Sequence, residues 1–71
     1  MAGSVYRVIE VIGTSSESWE DAAATAVSTA SKSVRDLRVA EVTKLDVTVG
    51  SDGKIESYRA RLDLSFKYEA S

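Results

Sequence analysis

The chain has 71 residues, of which nine are basic and eleven are acidic, and its formal net charge is −2. Without a basic excess, it is not expected to bind nucleic acid, which requires a cationic surface. It contains no cysteine and no histidine. This composition excludes disulfides, the usual zinc and copper sites, and catalysis by a cysteine or a Ser-His pair.

A chain of this length is expected to form one domain, residues 1–71. Such a domain buries only about 60% of its unfolded surface and usually needs further stabilisation. Self-association, with or without a hard cation, is the means that remains. The apolar runs are too short to span a membrane, and Met1-Ala-Gly-Ser4 does not resemble the start of a secretion signal. We therefore expect a cytoplasmic homo-oligomer without a membrane partner.

The first predicted element is a strand from Val5 to Ile12, which is rich in β-branched residues. Both of its faces are largely apolar, which predicts that the strand is covered on both sides. Gly13 then supplies a turn, and Thr14 and Glu17 have the spacing of a helix capping box. A helix is therefore expected to begin at this point.

The helix is predicted from apolar residues that recur every three or four positions. These residues are Trp19, Ala22, Ala23, Ala26, Val27, Ala30 and Val34. Most are small, which allows the helix to lie close to a sheet. The acidic residues Glu17, Glu20 and Asp21 begin the helix, where they complement its dipole. Trp19 is expected to pack in the core or an interface rather than to stack on a ligand.

Two further strands, Leu37 to Val49 and Lys54 to Tyr68, are joined by a hairpin turn at Gly50-Ser-Asp-Gly53. The first strand runs parallel to the second by way of the helix, so it can pair antiparallel only with the third. The predicted fold class is α+β, with element order β-α-β-β and a three-stranded antiparallel sheet of order 1-3-2 packed on one helix. The third strand alternates strictly between an apolar and a polar face. In so short a chain, its exposed surface predicts neighbouring copies.

Several segments together resemble the dodecin family over nearly the whole chain. They are Tyr6-Arg-Val-Ile-Glu-Val-Ile-Gly-Thr-Ser15, the alanine-rich helix, Val39-Ala-Glu-Val42 and the final Phe66-Lys-Tyr68. The resemblance implies that this β-α-β-β subunit assembles as a hollow dodecamer of cubic symmetry. Most dodecins bind flavins in pairs between subunits.

The flavin-binding positions of the family differ in this chain. In flavin-binding dodecins, a tryptophan before the Ala-Glu-Val triplet stacks on the flavin ring, and a glutamine in the third strand hydrogen-bonds to its edge. The matching residues are Val39 and Arg59. Valine has no ring, which forfeits about 1–3 kcal/mol if base stacking is a guide, and a guanidinium donates hydrogen bonds only. These cofactor positions are therefore expected not to bind flavin.

A branch of the family that lacks the stacking tryptophan is associated with calcium. It resembles the chain at Ser18-Trp-Glu20, Arg38-Val-Ala40 and Gly53-Lys-Ile55. Calcium takes six to eight oxygen ligands and needs neither histidine nor cysteine. No EF-hand loop is present in the sequence. A calcium site would therefore combine oxygens from different segments or subunits.

The candidate metal ligands are Glu17 at the helix start and Asp46 on the second strand. Each has an alternative interpretation, Glu17 as a surface charge and Asp46 as part of a charge ladder. From the turn, Asp46 is predicted to face Ser57, and Lys44 to face Arg59. In that register the basic side chains Lys44, Arg59 and Arg61 surround Asp46.

Glu41 is the least expected acid, because its parity places it opposite Leu62 among apolar residues. A bulge that turns it outward, or an arginine of a neighbouring subunit, would resolve this conflict.

An enzyme is not expected, since no carboxylates are visibly paired and the serines lack a base. The favoured function is a dodecin-like shell that binds or buffers a small ligand or cation, with calcium expected. The alternative is a flavin-storing dodecin with an altered pocket.

Overall fold

The computed structural model describes residues 3–68 of the chain. Its elements are β1 (Tyr6–Ser15), α1 (Trp19–Ala30), β2 (Leu37–Val49) and β3 (Ile55–Lys67). The strands form one antiparallel sheet with the order β1-β3-β2. The predicted fold class, element order and strand order are confirmed, and the predicted limits of the second strand coincide with those of β2.

The sheet has an inner face, which packs on α1, and an outer face, which does not. Ala60, Leu62 and Leu64 of β3 point to the inner face and are at most 1% exposed. With Ala22 and Ala26 of α1, they form the buried core. The strict alternation of the third strand therefore does predict which of its residues are buried.

β1 is covered by the chain on its inner face only. Ile9 and Val11 pack against the core, whereas Val8 and Ile12 on the outer face are 58% and 46% exposed. The prediction of a strand covered on both sides is wrong for the single chain, because its one helix can cover only one face of the sheet.

Gly13 lies inside β1 and not in a turn, contrary to the sequence-based expectation. It is paired with Ala60 at the point where α1 crosses the sheet. A Cβ atom on Gly13 would collide with the carbonyl oxygen of Ala22 and lie 2.8 Å from Cβ of Ala26. The missing side chain thus allows α1 to approach the strand closely, as the small alanines predict.

α1 begins later than the capping-box spacing of Thr14 and Glu17 predicts. The strand continues to Ser15, and the helix N-cap is Ser18, whose Oγ accepts a hydrogen bond from the backbone N–H of Asp21 at 3.0 Å. Ser15 is 9% exposed; its hydroxyl donates to the Asp21 carboxylate at 2.7 Å and accepts from the N–H of Glu17 at 2.9 Å. Several neighbouring hydroxyls could cap the helix. Ser18 does so because β1 continues to Ser15 in close contact with α1.

Bulges in β2 change which of its residues share a face. The pairing with β3 shifts between Leu37 and Val39, between Val42 and Lys44, and between Thr48 and Val49. Val39 is therefore on the outer face, opposite Ser65, although it shares sequence parity with inner-face residues. The hairpin loop is longer than a two-residue turn, and its Gly53 has a positive φ of 80° that suits glycine.

The described part of the chain is elongated, with extents of 58 × 20 × 15 Å. β1 ends opposite Tyr58, so the β2–β3 hairpin continues beyond it. The hairpin ends carry Val49 and Ile55, which are paired and are 61% and 54% exposed. Such a shape cannot cover its own sheet, which agrees with a chain that associates.

Candidate functional site: the outer face of the sheet

Four ladders of paired residues cross the outer face. The residues, in the order β1, β3, β2, are Val8–Ser65–Val39, Glu10–Asp63–Glu41, Ile12–Arg61–Lys44 and Thr14–Arg59–Asp46. Directly opposite side chains have Cβ atoms about 5 Å apart. Ionisable side chains from all three strands are therefore collected on the face that the helix leaves open.

The second ladder consists of three acidic residues, which we call the acidic row: Glu10, Asp63 and Glu41. The predicted partner of Glu41, Leu62, is wrong, because the bulge between Val42 and Lys44 turns Glu41 to the outer face. This is the outward-turning bulge named as one resolution of its conflict. Like charges directly opposite one another destabilise a sheet unless something compensates for them.

The next ladder contains Arg61 and Lys44, which we call the basic row. The prediction that Lys44 faces Arg59 is wrong by two residues of β3, because the hairpin loop is longer than assumed. Within residues 3–68, no ion pair within 4.0 Å joins the basic row to the acidic row. The charges of the two rows are therefore not paired with each other at short range within the described part of the chain.

The fourth ladder contains an ion pair between Asp46 and Arg59, where the sequence predicted Asp46 opposite Ser57. Arg59 donates to both carboxylate oxygens, at 2.7 Å from Nε and 2.9 Å from Nη2. Ser57 instead hydrogen-bonds to Thr48, with 2.6 Å between the hydroxyl oxygens. The expected charge ladder around Asp46 exists, with a different partner opposite it.

The electrostatics of Asp46 follow from this geometry. The hydrogen bonds from Arg59 lower the pKa of the Asp46 carboxyl below its ordinary value of 3.8. The positive charges of Arg59, Arg61 and Lys44 act in the same direction, against a raising effect of desolvation. Asp46 is therefore ionised at neutral pH and already bound to a cationic side chain.

Trp19 covers the edge of the sheet near Asp46 from the helix side. Its ring meets that of Tyr58 edge to face, with centroids 5.2 Å apart, and its Nε1–H donates to the carbonyl oxygen of Asp46 at 3.0 Å. The side chain remains 37% exposed. A hollow of about 360 Å³ lies beside it, lined also by Glu20, Ala23, Val42 and Leu45. Trp19 thus packs at the rim of the core rather than inside it.

The predicted site residues occupy separate places in the chain. Val39 is 54% exposed and lies in the ladder with Ser65, six residues along β3 from Arg59, or about 20 Å. Glu17 is exposed in the turn between β1 and α1, whereas the Asp46 carboxylate points to the outer face with Arg59. No group of three or more acidic residues within 3–68 is close enough to hold a metal ion.

The acidic row was missed by the sequence reasoning, whereas Lys44 and Arg61 of the basic row were expected near each other around Asp46 but in a different register. Glu41 and Lys44 lie on opposite sides of the bulge at Thr43, so strict alternation assigns them to different faces. A threonine at position 43 does not indicate a bulge from the sequence. In the structure, its hydroxyl donates to the Arg61 carbonyl at 3.2 Å across the bulge. A register count from the β1–β3 pairing would have placed Glu10 beside Asp63 and found two thirds of the acidic row.

No helix in the described residues is long and apolar enough to cross a membrane.

Comparison with known proteins places the chain in one family. The Dodecin family model matches residues 5–69. The chain is 58% identical over 64 residues to the Calcium dodecin of Mycobacterium tuberculosis, covering 90% of this chain and 89% of that protein. It is 36% identical to the Dodecin of Thermus thermophilus, covering 94% of this chain and 96% of that protein.

Solved structures agree with the sequence comparison. The crystal structure of the calcium-chelating calcium dodecin from Mycobacterium tuberculosis, described as having a novel calcium-binding site, has a TM-score of 0.82 at 56% identity and covers 96% of each chain. The dodecin from Streptomyces coelicolor has a TM-score of 0.90 at 37% identity over the full length of both chains. From the matched family model, the identities and the shared fold, this chain belongs to the dodecin family.

Proposed function

We propose that this chain is a calcium-binding dodecin that assembles into a homo-oligomeric shell, with twelve subunits as the expected number. The observation that carries the proposal is its 58% identity over 90% of its length to a protein named Calcium dodecin. A role in binding or buffering the cation, rather than in catalysis, fits a chain without histidine or cysteine.

The donor chemistry of the chain fits a hard cation. Calcium binds carboxylates, carbonyls, hydroxyls and water, all of which the chain offers. The described part of a single chain brings no three acidic residues together around one point. Oxygens from more than one subunit, or backbone oxygens with water, are therefore needed to complete a site. This requirement links calcium binding to assembly.

Glu17 and Asp46 are the proposed carboxylate ligands, and they differ in what already surrounds them. Glu17 is exposed beside the Ser15–Asp21 hydrogen bond, which holds the turn between β1 and α1 in place. Asp46 is held by Arg59, whose positive charge opposes the approach of a cation. Glu17 is consequently the stronger candidate, and Asp46 would serve through the oxygen lone pairs that Arg59 leaves free.

A titration of the assembled protein with calcium tests this function. Calorimetry should show binding in the weak part of the calcium range, with a Kd of about 10⁻⁴ to 10⁻³ M. The melting temperature should rise with added calcium and fall with chelator. Glu17→Gln should weaken binding more than Asp46→Asn, and Asp52→Asn in the hairpin loop is the matched control. No heat and no melting shift at several millimolar calcium contradict the function; unchanged binding in both variants contradicts only the ligand assignment.

Flavin is not expected at the family positions. Val39 presents no ring, and the Arg59 guanidinium is already bound to Asp46. Flavin added to the protein should therefore keep nearly all of its fluorescence, while Val39→Trp combined with Arg59→Gln should produce quenching. Strong quenching by the unmodified protein at micromolar concentration would instead favour the flavin-storing alternative, with Trp19 or Tyr58 as the stacking side chain.

A further inference from the structure

We infer that the bond between Asp52 and Gly53, in the loop between β2 and β3, is a site of spontaneous isoaspartate formation, and that the closed loop slows this reaction. In the reaction, the backbone nitrogen of Gly53 attacks the side-chain carboxyl of Asp52. The site concerns how the chain changes chemically with age, and it depends neither on calcium binding nor on assembly.

The reaction needs only water and conserves every atom of the chain. The Gly53 nitrogen bonds to Cγ of Asp52, and its proton leaves with the carboxyl hydroxyl as water, which closes a five-membered succinimide ring. Water then adds to one of the two ring carbonyls. Addition at Cγ restores aspartate. Addition at the backbone carbonyl carbon of Asp52 gives isoaspartate, in which the main chain runs through Cβ and Cγ and a free carboxylate remains on Cα.

The sequence offers one bond at which this ring can close without a neighbouring side chain in the way. The chain contains no asparagine, and Asp52 is the one aspartate followed by glycine. The other aspartates precede a residue whose Cβ crowds the attacking nitrogen; they are Asp21, Asp36, Asp46 and Asp63. Three of these four also lie in α1, β2 or β3, where the backbone is held in regular structure. A single reactive position is therefore expected.

The loop leaves the reacting atoms accessible. Asp52 and Gly53 are both exposed, and a Cβ atom on Gly53 would have no heavy atom within 4 Å. This open space accommodates the ring and the water that opens it. Exposed loop tips with small residues are also the parts of a fold that open most readily.

Three hydrogen bonds oppose the reaction while the loop is closed. The Gly53 N–H donates to the Gly50 carbonyl at 2.9 Å, and the Gly50 N–H donates to the Lys54 carbonyl at 2.8 Å. Oδ1 of Asp52 accepts from the Lys54 N–H at 3.0 Å. The attacking nitrogen and the carboxyl that it must reach are both bound to other partners. Because these bonds must open first, the closed loop should react about tenfold more slowly than an unfolded chain.

The product does not fit the closed loop. Isoaspartate adds one atom to the main chain between Gly50 and Lys54, and it moves the carboxylate away from the position that accepts from the Lys54 N–H. We expect the loop and the adjoining pair of Val49 and Ile55 to loosen. The core beneath α1 should remain intact, because it involves β3 only from Ala60 onward.

Incubation of the folded protein beside the peptide Val-Gly-Ser-Asp-Gly-Lys, which has the sequence of residues 49–54, tests the site. Peptide mapping separates isoaspartate from aspartate at equal mass, and an aspartate-specific protease no longer cleaves at position 52. At neutral pH and physiological temperature, isoaspartate should form at position 52 before any other aspartate, and about tenfold more slowly in the protein than in the peptide. Hydrogen exchange at the Gly53 amide should be slowed by a similar factor.

Asp52→Glu is the matched control, since it keeps the carboxylate but would have to close a six-membered ring, and it should not react. Asp52→Asn should react faster than the unmodified chain, because a neutral amide is attacked more readily than a carboxylate and releases ammonia. That variant is therefore used freshly prepared in the calcium titration. Equal rates in protein and peptide, or an unprotected Gly53 amide, contradict the protection by the closed loop. Earlier reaction at another aspartate, or no product in the protein while the peptide reacts completely, contradicts the site.

Discussion

The two faces of the sheet differ in how much of their apolar surface the chain itself buries. The inner face is completed by the chain itself: Leu62 and Leu64 are at most 1% exposed beneath α1. On the outer face of the same sheet, Ile12 and Val39 remain about half exposed among charged side chains. The inner face of the sheet is therefore buried by the chain's own helix, whereas burial of the outer face requires another molecule. The predictions below separate these two contributions.

The largest effect is expected from Leu62→Ala, compared with Ile12→Ala on the opposite face. Loss of a fully buried leucine should lower the free energy of unfolding by about 2–5 kcal/mol, whatever the subunit concentration. Ile12→Ala should change the stability of a folded single chain by about 0.5 kcal/mol or less. Its loss should instead appear as a stronger dependence of melting on subunit concentration. Denaturant titrations at two protein concentrations measure both quantities, and equal, concentration-independent losses would contradict the distinction between the faces.

Gly13→Ala is expected to have the next largest effect, because the added methyl meets the Ala22 carbonyl oxygen and Cβ of Ala26. Separating α1 from β1 or straining their contact should lower the free energy of unfolding by about 1–3 kcal/mol. Gly3→Ala is the matched control, since a Cβ there has no heavy atom within 4 Å. If both variants melt at the temperature of the unmodified protein, the helix is not held against the strand by this close approach.

The sequence predicted the inner face better than the outer face, for a physical reason. Burial leaves a strong periodic signal: the alternation around Leu62 and Leu64 and the alanine spacing of α1 both correctly identify the core. The β-α-β-β order and the hairpin also determine which strands can pair. A topology set by a few connections is robust to local errors.

The outer-face register depends on single residues that the pattern does not mark. With the longer hairpin loop alone, Glu41 would lie opposite Leu64, and one extra residue at Thr43 places it opposite Asp63 on the outer face instead. The longer hairpin loop places Asp46 opposite Arg59 instead of Ser57. Likewise, Ser18 rather than Thr14 caps the helix, because any of several adjacent hydroxyls satisfies the local preference. Each choice depends on packing against other elements, which local spacing does not contain.

The smallest expected effect concerns the Asp46–Arg59 ion pair, the one that residues 3–68 form on the outer face within 4.0 Å. Arg59 holds the pKa of Asp46 below its ordinary value of 3.8, first through its hydrogen bonds and also through its charge. A carboxylate with a lowered folded-state pKa stabilises the fold fully above its unfolded value, and this contribution is lost as the pH falls through the folded-state pKa. The side chains of Arg59 and Asp46 are 36% and 42% exposed, so solvent and salt screen the pair.

The stability difference between the unmodified protein and Asp46→Asn should therefore be constant above about pH 5 and disappear at lower pH. Denaturant titrations from pH 2 to 7 measure this difference. In the Arg59→Gln background, Asp46→Asn should produce a smaller difference and a weaker pH dependence, which isolates the coupling between the two side chains. A difference that persists unchanged at the lowest pH would mean that Asp46 acts through packing rather than through its charge. The Asp46 and Arg59 side chains would then act on the outer face by packing alone. The charge that this face presents to a neighbouring subunit would come only from the acidic and basic rows.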